Sequence, residues 1–162
     1  GDNDPFQITS PALFVNDALS LCSEKMRRHD IDIRMDMHAL EGVYIPCRSV
    51  QISQVVLNLL TNAYHAVEAA EEKWIRIECA QSAHNIEIAI VDSGSGVPEA
   101  IRDKIFQPFF TTKEVGVGTG LGLSLSLSIA RDHGGTIELD RTSKNTRFVL
   151  RLPRTQAHQT AA

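Results

Sequence analysis

A helix-like segment in the middle of the chain contains two asparagines four residues apart. The segment reads VVLNLLTNAYHAV from Val55 onwards, and its apolar residues recur at the spacing of one helix face. At about 100° per residue, Asn58, Asn62 and His65 lie together along one edge of that face. Asparagine is unfavourable inside helices because its amide competes with the backbone for hydrogen bonds. One asparagine alone is compatible with a solvated flank, but the row of three favours a site for a polar ligand.

A second candidate is the segment IVDSGSGVP (residues 90–98), in which a predicted strand ends at Asp92 and is followed by Gly94 and Gly96. A carboxylate at a strand end can accept a hydrogen bond from a ligand. The small residues after it allow a flat ligand to lie against the backbone. Aspartate also starts ordinary turns, so Asp92 by itself leaves both interpretations open.

A third candidate is GVGTGLGL (residues 116–123), with glycine at every second position before a predicted helix. Backbone N–H groups at a helix N-terminus bind phosphate, and glycine allows the close approach that this requires. The segment neither follows a strand directly nor contains the Gly-Lys-Ser/Thr ending of a P-loop, so the two common nucleotide fingerprints fit poorly. The pattern predicts a phosphate cradle of another kind.

Between these segments lies IFQPFFTTK (residues 105–113). Its phenylalanines, Phe106, Phe109 and Phe110, fit either an apolar cluster under a loop or the hinge of a mobile lid. Lys113 could reach a phosphate as a point charge. A solvated surface lysine is the simpler interpretation of that residue alone.

Composition limits the class of protein. The 162 residues carry a net charge of −4, with 43% hydrophobic and 22% charged residues, which is typical of one soluble globular domain. The absence of a basic stripe argues against a nucleic-acid-binding module. No apolar run approaches the ~18 residues that a membrane span needs. Three widely spaced cysteines without a Cys-x-x-Cys pair favour buried reduced thiols over a zinc site or disulfides.

The hydrophobic pattern predicts the elements that position the candidate residues. Helices are expected over residues 11–28, 49–71 and 121–132. Strands are expected over residues 31–37, 74–80, 86–92, 136–140 and 147–152, and residues 43–45 are expected to pair with the first of them. Residues 93–120 lack a periodic pattern, and loops of this length are usually functional or disordered. The domain is predicted over residues 11–153, with residues 1–10 a disordered segment or linker remnant and residues 154–162 a frayed tail.

In their order and spacing, four stretches resemble the motifs of the catalytic ATP-binding domain of bacterial sensor histidine kinases, a domain of the GHKL group. NLLTNAYHA (58–66) resembles the N box, DSGSG (92–96) the first glycine box, FQPFFTTK (106–113) the phenylalanine box and GTGLGLSLS (118–126) the second glycine box. The resemblance implies the Bergerat fold, an α/β two-layer sandwich. In that fold a mixed, largely antiparallel sheet is packed on one face by about three helices, with a flexible ATP lid, here near residues 106–120.

The resemblance also implies ATP and Mg²⁺ as cofactors. Asn62 corresponds to the asparagine that binds Mg²⁺, and Asp92 to the aspartate that accepts a hydrogen bond from the adenine amino group. Asn58, His65 and Lys113 would border the phosphates and the metal as catalytic groups. The ATP-binding residues that it implies are Asn62, Asp92, Gly94, Gly96, Val97, Ile105, Thr112, Gly118, Thr119, Gly120, Leu121, Gly122, Leu123 and Thr146.

The last motif departs from the family pattern. The family usually has Gly-Thr before the final strand, whereas this chain has Asn145-Thr146. Asparagine tolerates left-handed backbone better than most residues, so the turn is expected to survive the change.

The resemblance favours transfer to a histidine over hydrolysis. Related ATPases of this fold carry a glutamate one helical turn before the metal-binding asparagine, as the base that activates water. The residue there is Asn58, which cannot accept a proton. The acceptor histidine would lie on the parent protein's own dimerisation domain, because none of the six histidines here has the expected setting. A nucleotide-binding regulatory module without catalysis and a GHKL-type ATPase remain the alternatives.

Partners and location follow from the same resemblance. It implies a response-regulator receiver domain downstream, a homodimeric parent protein and a cytoplasmic domain. This domain itself would contact neither nucleic acid nor membrane, and a parent protein in the inner membrane is left open.

Overall fold

The computed structural model describes residues 3–110 and 122–156. Within these ranges lie the helices α1 (Pro11–Arg28), α2 (Ser49–Val67) and α3 (Gly122–Asp132), with short 3₁₀ helices at His38–Leu40 and Glu99–Ile101. The strands are β1 (Gln7–Thr9), β2 (Asp32–Met35), β3 (Ile45–Cys47), β4 (Trp74–Gln81), β5 (Asn85–Asp92), β6 (Thr136–Leu139) and β7 (Arg147–Pro153). Every helix in the described ranges is too short or too polar to cross a membrane.

Five strands form a mixed sheet in the order β2-β4-β5-β7-β6. β2 runs parallel to β4, and the other neighbours are antiparallel. β4 and β5 form a hairpin, in which Ser82 N donates a hydrogen bond to Asn85 O at 2.9 Å. Because β5 and β7 run in opposite directions, the end of β5 at Asp92 lies beside the residue before β7, Thr146.

The helices cover one face of this sheet, and the main apolar core lies between the two layers. Buried residues alternate along β5, where Ile86, Ile88 and Ile90 face the core. From α2 the core receives Ile52, Val55, Val56, Leu59, Leu60, Ala63, Tyr64 and Val67. Ala66, which helical spacing places on the same face, is exposed instead. The predicted two-layer α/β sandwich is confirmed.

The short strand β3 differs from the sequence expectation. It pairs antiparallel with β1, with Gln7 opposite Cys47 and Thr9 opposite Ile45. The predicted pairing of residues 43–45 with the first long strand is therefore wrong. Alternation of apolar residues indicates which side chains are buried, here Ile45 and Cys47, but it does not specify the partner strand.

The chain termini also carry more structure than their composition indicates. Residues 7–9, inside the expected linker, form β1 through backbone pairing, although Ile8 is 71% exposed and only Thr9 of the strand is buried. At the other end Arg154 N donates to His84 O at 2.8 Å, so the first residue of the expected tail is bound to the sheet. Residues 157–162 lie outside the described residues.

The start of α2 is held by residues that are distant in the sequence. The Asp4 carboxylate accepts hydrogen bonds from Val50 N at 3.2 Å and Gln51 N at 2.9 Å. It thereby pairs two of the N–H groups that a helix leaves unsatisfied at its N-terminus. Arg48, the residue before the helix, donates its backbone N–H to His133 Nε2 at 3.1 Å. These bonds fix the helix that carries the two asparagines.

Candidate functional site

A buried carboxylate lies at the end of β5. Asp92 is 2% exposed, and its Oδ1 accepts a hydrogen bond from Gly94 N at 2.8 Å. The buried Thr146 side chain hydrogen-bonds the same carboxylate, and Asp92 N donates to Thr146 O at 3.0 Å. Burial raises the pKa of Asp92 to about 6, and the bonds from Gly94 and Thr146 oppose that rise. The carboxylate is thus positioned as an acceptor and keeps unused capacity for a donor.

The two glycines after Asp92 are required for different reasons. A Cβ on Gly94 would lie 2.7 Å from Asp92 Oδ1 and 3.2 Å from the backbone oxygen of Ala66 on α2. Gly94 therefore allows the loop to pack between the carboxylate and the helix. Gly96 has φ +91°, which favours glycine, and a Cβ there would meet no atom within 4 Å among the residues that the structure describes. The backbone at Gly96 faces open space, so a flat ligand could lie against it.

Asn58 is directed towards α3. Its Nδ2 donates to Ser126 Oγ at 3.0 Å and lies 3.5 Å from the backbone oxygen of Gly122. Its Oδ1 accepts from Gln54 Nε2 at 3.1 Å. Ser126 is the last residue of the stretch that resembles the second glycine box, and its sequence signal as a buried contact is a small polar residue four positions before Ala130. The structure thus connects the N-box-like segment with the helix after the glycine-rich segment.

Asn62 and His65 follow on the same helix. The Asn62 side chain is half-buried and has no hydrogen-bond partner within the part of the chain that the structure describes. His65 is also half-buried; its Nδ1 lies 3.8 Å from Glu68 Oε1, and its ring packs against the edge of Tyr64. Asn62 is thus the member of the row whose amide is available to a ligand.

The predicted apolar contacts with ATP lie at the edge of the core. Ile105 is buried, whereas Val97 and Leu123 are half-buried and pack against the core. Phe106 packs against Phe148 with ring centroids 6.1 Å apart, which supports the cluster interpretation for this residue. Phe110 also packs against the core.

Phe109 differs from its neighbours. It is 75% exposed and has φ +66°, a left-handed conformation that is uncommon for a bulky residue. The cluster interpretation therefore does not extend to Phe109, and the hinge interpretation stays a prediction.

Several candidates lie outside the described residues. These are Thr112, Lys113, Gly118, Thr119, Gly120 and Leu121. Gly122, the last glycine of the segment, begins α3. Asn145 stands where the family usually has glycine. Among the described residues other than glycine, Asp30 and Phe109 are the ones with positive φ, so Asn145 is not left-handed. The turn before β7 therefore does not need the left-handed backbone that asparagine was expected to tolerate in place of glycine.

Comparison with known proteins agrees with this geometry. Residues 47–156 match the model of the family described as histidine kinase-, DNA gyrase B-, and HSP90-like ATPase. The chain is 34% identical over 138 residues to the C4-dicarboxylate transport sensor protein DctB of Rhizobium meliloti, covering 85% of this chain and 22% of that protein. It is 34% identical over 140 residues to the sensor histidine kinase ZraS of Escherichia coli K12, covering 86% and 29%. The chain spans less than a third of the length of these relatives.

Solved structures give the same result. The nucleotide-free catalytic domain of the histidine kinase ThkA is 32% identical with a TM-score of 0.79, covering 93% of this chain and 98% of that one. ThkA in complex with the response regulator protein TrrA is 28% identical with a TM-score of 0.78, covering 95% and 43%. The chain therefore belongs to the family of histidine kinase-, DNA gyrase B- and HSP90-like ATPases, as a catalytic domain of the sensor histidine kinase type.

Proposed function

We propose that this domain binds Mg-ATP and transfers the γ-phosphoryl group to a histidine on a separate dimerisation domain of its parent protein. The observation that carries the proposal is the buried Asp92 carboxylate beside the open backbone of Gly96. In the transfer, a ring nitrogen of the acceptor histidine bonds to the γ-phosphorus. The bond from that phosphorus to the bridging oxygen breaks, ADP leaves, and the histidine N–H proton passes to solvent.

The adenine end of the site is formed by β5 and β7. Asp92 accepts a hydrogen bond from the exocyclic amino group of adenine, and Thr146 and Gly94 hold the carboxylate in place. The base lies against the backbone of Gly96, where no side chain of the described ranges intervenes. Binding of this donor compensates for part of the hydration that Asp92 loses on burial.

The residues present fit one Mg²⁺ ion that is held mainly by the nucleotide. Mg²⁺ usually keeps several waters and uses one or two protein oxygens together with substrate phosphates. The described residues contain no group of three or more His, Cys, Asp or Glu that could hold a metal alone. Asn62 offers a half-buried amide oxygen without a partner among them, and this oxygen would be the protein ligand. The bound ion would neutralise charge on the phosphates.

The phosphate end of the site is proposed at the start of α3. Gly122 begins this helix, and a Cβ there would meet no atom of the described residues within 4 Å. Backbone N–H groups at such a start are suited to phosphate. The contributions of Thr112, Lys113, Gly118, Thr119, Gly120 and Leu121 stay predictions.

An ATPase activity is disfavoured by the side chain at position 58. An amide cannot remove a proton from water, and the Asn58 amide is bonded to Gln54 and Ser126. Transfer to a better nucleophile than water therefore suits this site more than hydrolysis. A regulatory module that binds nucleotide without catalysis would share the same adenine contacts.

We further propose a homodimeric parent protein with this domain in the cytoplasm and a receiver domain of a response regulator as the next phosphoryl acceptor. Support for the receiver domain comes from ThkA, which has been solved in complex with TrrA. Support for the kinase comes from ZraS, whose name states that it is a sensor histidine kinase. A parent protein in the inner membrane is compatible with both.

The test is transfer in trans. The histidine-bearing helical hairpin of the parent protein's dimerisation domain is mixed with this domain and radiolabelled Mg-ATP, and acid-labile label on the hairpin is measured. We expect label on the hairpin and none when its histidine is replaced with alanine. Nucleotide binding without any transfer would support the regulatory module instead, and rapid hydrolysis by the isolated domain would support the ATPase.

A further inference from the structure

Ser126 is a polar residue on a buried helix face, where an apolar side chain would be expected from packing alone. It is 0% exposed on the side of α3 that faces α2, and Ala130, one turn later, is buried as well. Small side chains at this spacing allow the two helices to approach closely. A hydroxyl group in such a position is unfavourable unless it is hydrogen-bonded. Ser126 Oγ meets this condition by accepting from Asn58 Nδ2 at 3.0 Å.

The polar atoms of the Asn58 amide form their hydrogen bonds within the protein. One end accepts from Gln54 on its own helix, at 3.1 Å. The other end donates to Ser126 and lies 3.5 Å from the Gly122 carbonyl oxygen. A primary amide has two N–H donors, and the two acceptors near Asn58 Nδ2 lie in the first two turns of α3, at Gly122 and Ser126. Asn58 is therefore oriented by hydrogen bonds within the protein at both ends of its amide.

We infer that Asn58 and Ser126 form a clamp between α2 and α3, and that Ser126 is a positioning residue for the phosphate end of the site. The clamp sets the first turn of α3, which begins at Gly122, relative to Asn62, one turn after Asn58 on α2. Neither Asn58 nor Ser126 touches substrate in this account. The inference rests on the proposed function and assigns Asn58 a positioning role in place of the catalytic role expected from the sequence.

The clamp predicts an effect on phosphates but not on adenine, because Asp92 and Gly96 lie at the end of β5 and not on α3. Ser126→Ala removes one oxygen and preserves the packing. We expect it to weaken Mg-ATP binding by about 3- to 10-fold, the effect of one net hydrogen bond. The affinity for adenosine, measured by NMR titration, should be unchanged. Ser128→Ala is the matched control, because Ser128 is an exposed serine on the same helix.

A double-mutant cycle tests the pairing itself. Asn58→Ala and Asn58→Ala/Ser126→Ala are measured alongside Ser126→Ala. If the two residues act as one clamp, the double variant binds Mg-ATP no more weakly than the Asn58 variant alone. Thermal unfolding of each variant verifies that it is folded at the assay temperature.

The outcomes separate the clamp from the proposed function. Equal Mg-ATP affinity of the wild type and Ser126→Ala, additive effects in the cycle, or equal weakening of adenosine binding would each overturn the clamp. Failure of the wild-type chain to bind Mg-ATP would overturn the proposed function instead. Increased amide hydrogen exchange in the first turn of α3 of Ser126→Ala is the expected structural signature.

Discussion

At the scale of single residues, Asp92 combines deep burial with a negative charge. Loss of water destabilises the ionised form, and no ion pair with Asp92 occurs in the described part of the chain. A ligand that donates a hydrogen bond replaces lost hydration. The sequence places Asp92 at a strand end before two glycines. Its burial raises its pKa, and the hydrogen bond from Thr146 opposes that rise. Thr146 comes from a distant segment, so a local sequence pattern does not reveal this environment.

Replacement of Asp92 with Asn is expected to stabilise the nucleotide-free domain. The pKa of Asp92 is raised from 3.8 to about 6 in the folded protein, so the ionised group opposes folding above pH 6. This destabilisation decreases as the pH falls through 6. It is absent below 3.8, where Asp92 is protonated in both the folded and the unfolded protein. The free energy of unfolding in urea should rise by about 1–3 kcal/mol at pH 8 and change little at pH 4.

The matched control for that variant is Asp17→Asn, because Asp17 is exposed on α1. It should leave the free energy of unfolding unchanged at either pH. Equal stabilisation of Asp92→Asn at pH 8 and pH 4 would show that the charge of Asp92 is not the cause.

The same carboxylate predicts the pH dependence of adenine binding. The ionised form accepts from the adenine amino group, so affinity should be constant above pH 7 and should fall as the pH drops below about 6. Adenosine is the ligand of choice because it has no phosphate to titrate. NMR titrations from pH 5 to pH 8 measure the dissociation constant. A flat profile across this range would contradict the proposed role of Asp92.

At the scale of secondary structure, local patterns predict the long elements and miss the contacts between short ones. The periodicity over residues 11–28 predicts α1, and the periodicity from Ser49 onwards predicts α2, although α2 ends at Val67 and not at residue 71. The pairing of β1 with β3 has no comparable signal, because each strand has only three residues. The caps on α2 come from Asp4 and His133, and such contacts depend on the tertiary fold.

The Asp4 cap predicts a local stability effect. Asp4→Ala removes the acceptor of the Val50 and Gln51 N–H groups and should lower the free energy of unfolding by about 0.5–2 kcal/mol. Hydrogen exchange at these two amides should accelerate more than exchange in the centre of α2. Asp17→Ala serves as the control, since it removes an exposed aspartate from within a helix. Unchanged protection at Val50 and Gln51 would contradict the cap.

At the scale of the whole molecule, the sandwich assembles a site from segments that are far apart in the sequence. The sheet brings Asp92 beside Thr146, and the helical layer brings Asn58 beside Ser126. The order of four motifs was enough to predict this architecture through resemblance. The contact between Asn58 and Ser126 was not predictable in the same way, since the two residues lie on different helices and the motifs do not specify which side chains meet.

The molecule as a whole is expected to bind Mg-ATP yet fail to phosphorylate itself. None of the six histidines has the sequence setting expected of the acceptor, and within the described residues both ring nitrogens of His133 are hydrogen-bonded, to Ile129 O and Arg48 N. A phosphoryl acceptor must present a ring nitrogen to the γ-phosphate of a bound nucleotide. Incubation with radiolabelled Mg-ATP should therefore leave the chain unlabelled, with the same domain plus its histidine hairpin as the positive control. Stoichiometric acid-labile label on the isolated chain would show that it contains its own acceptor.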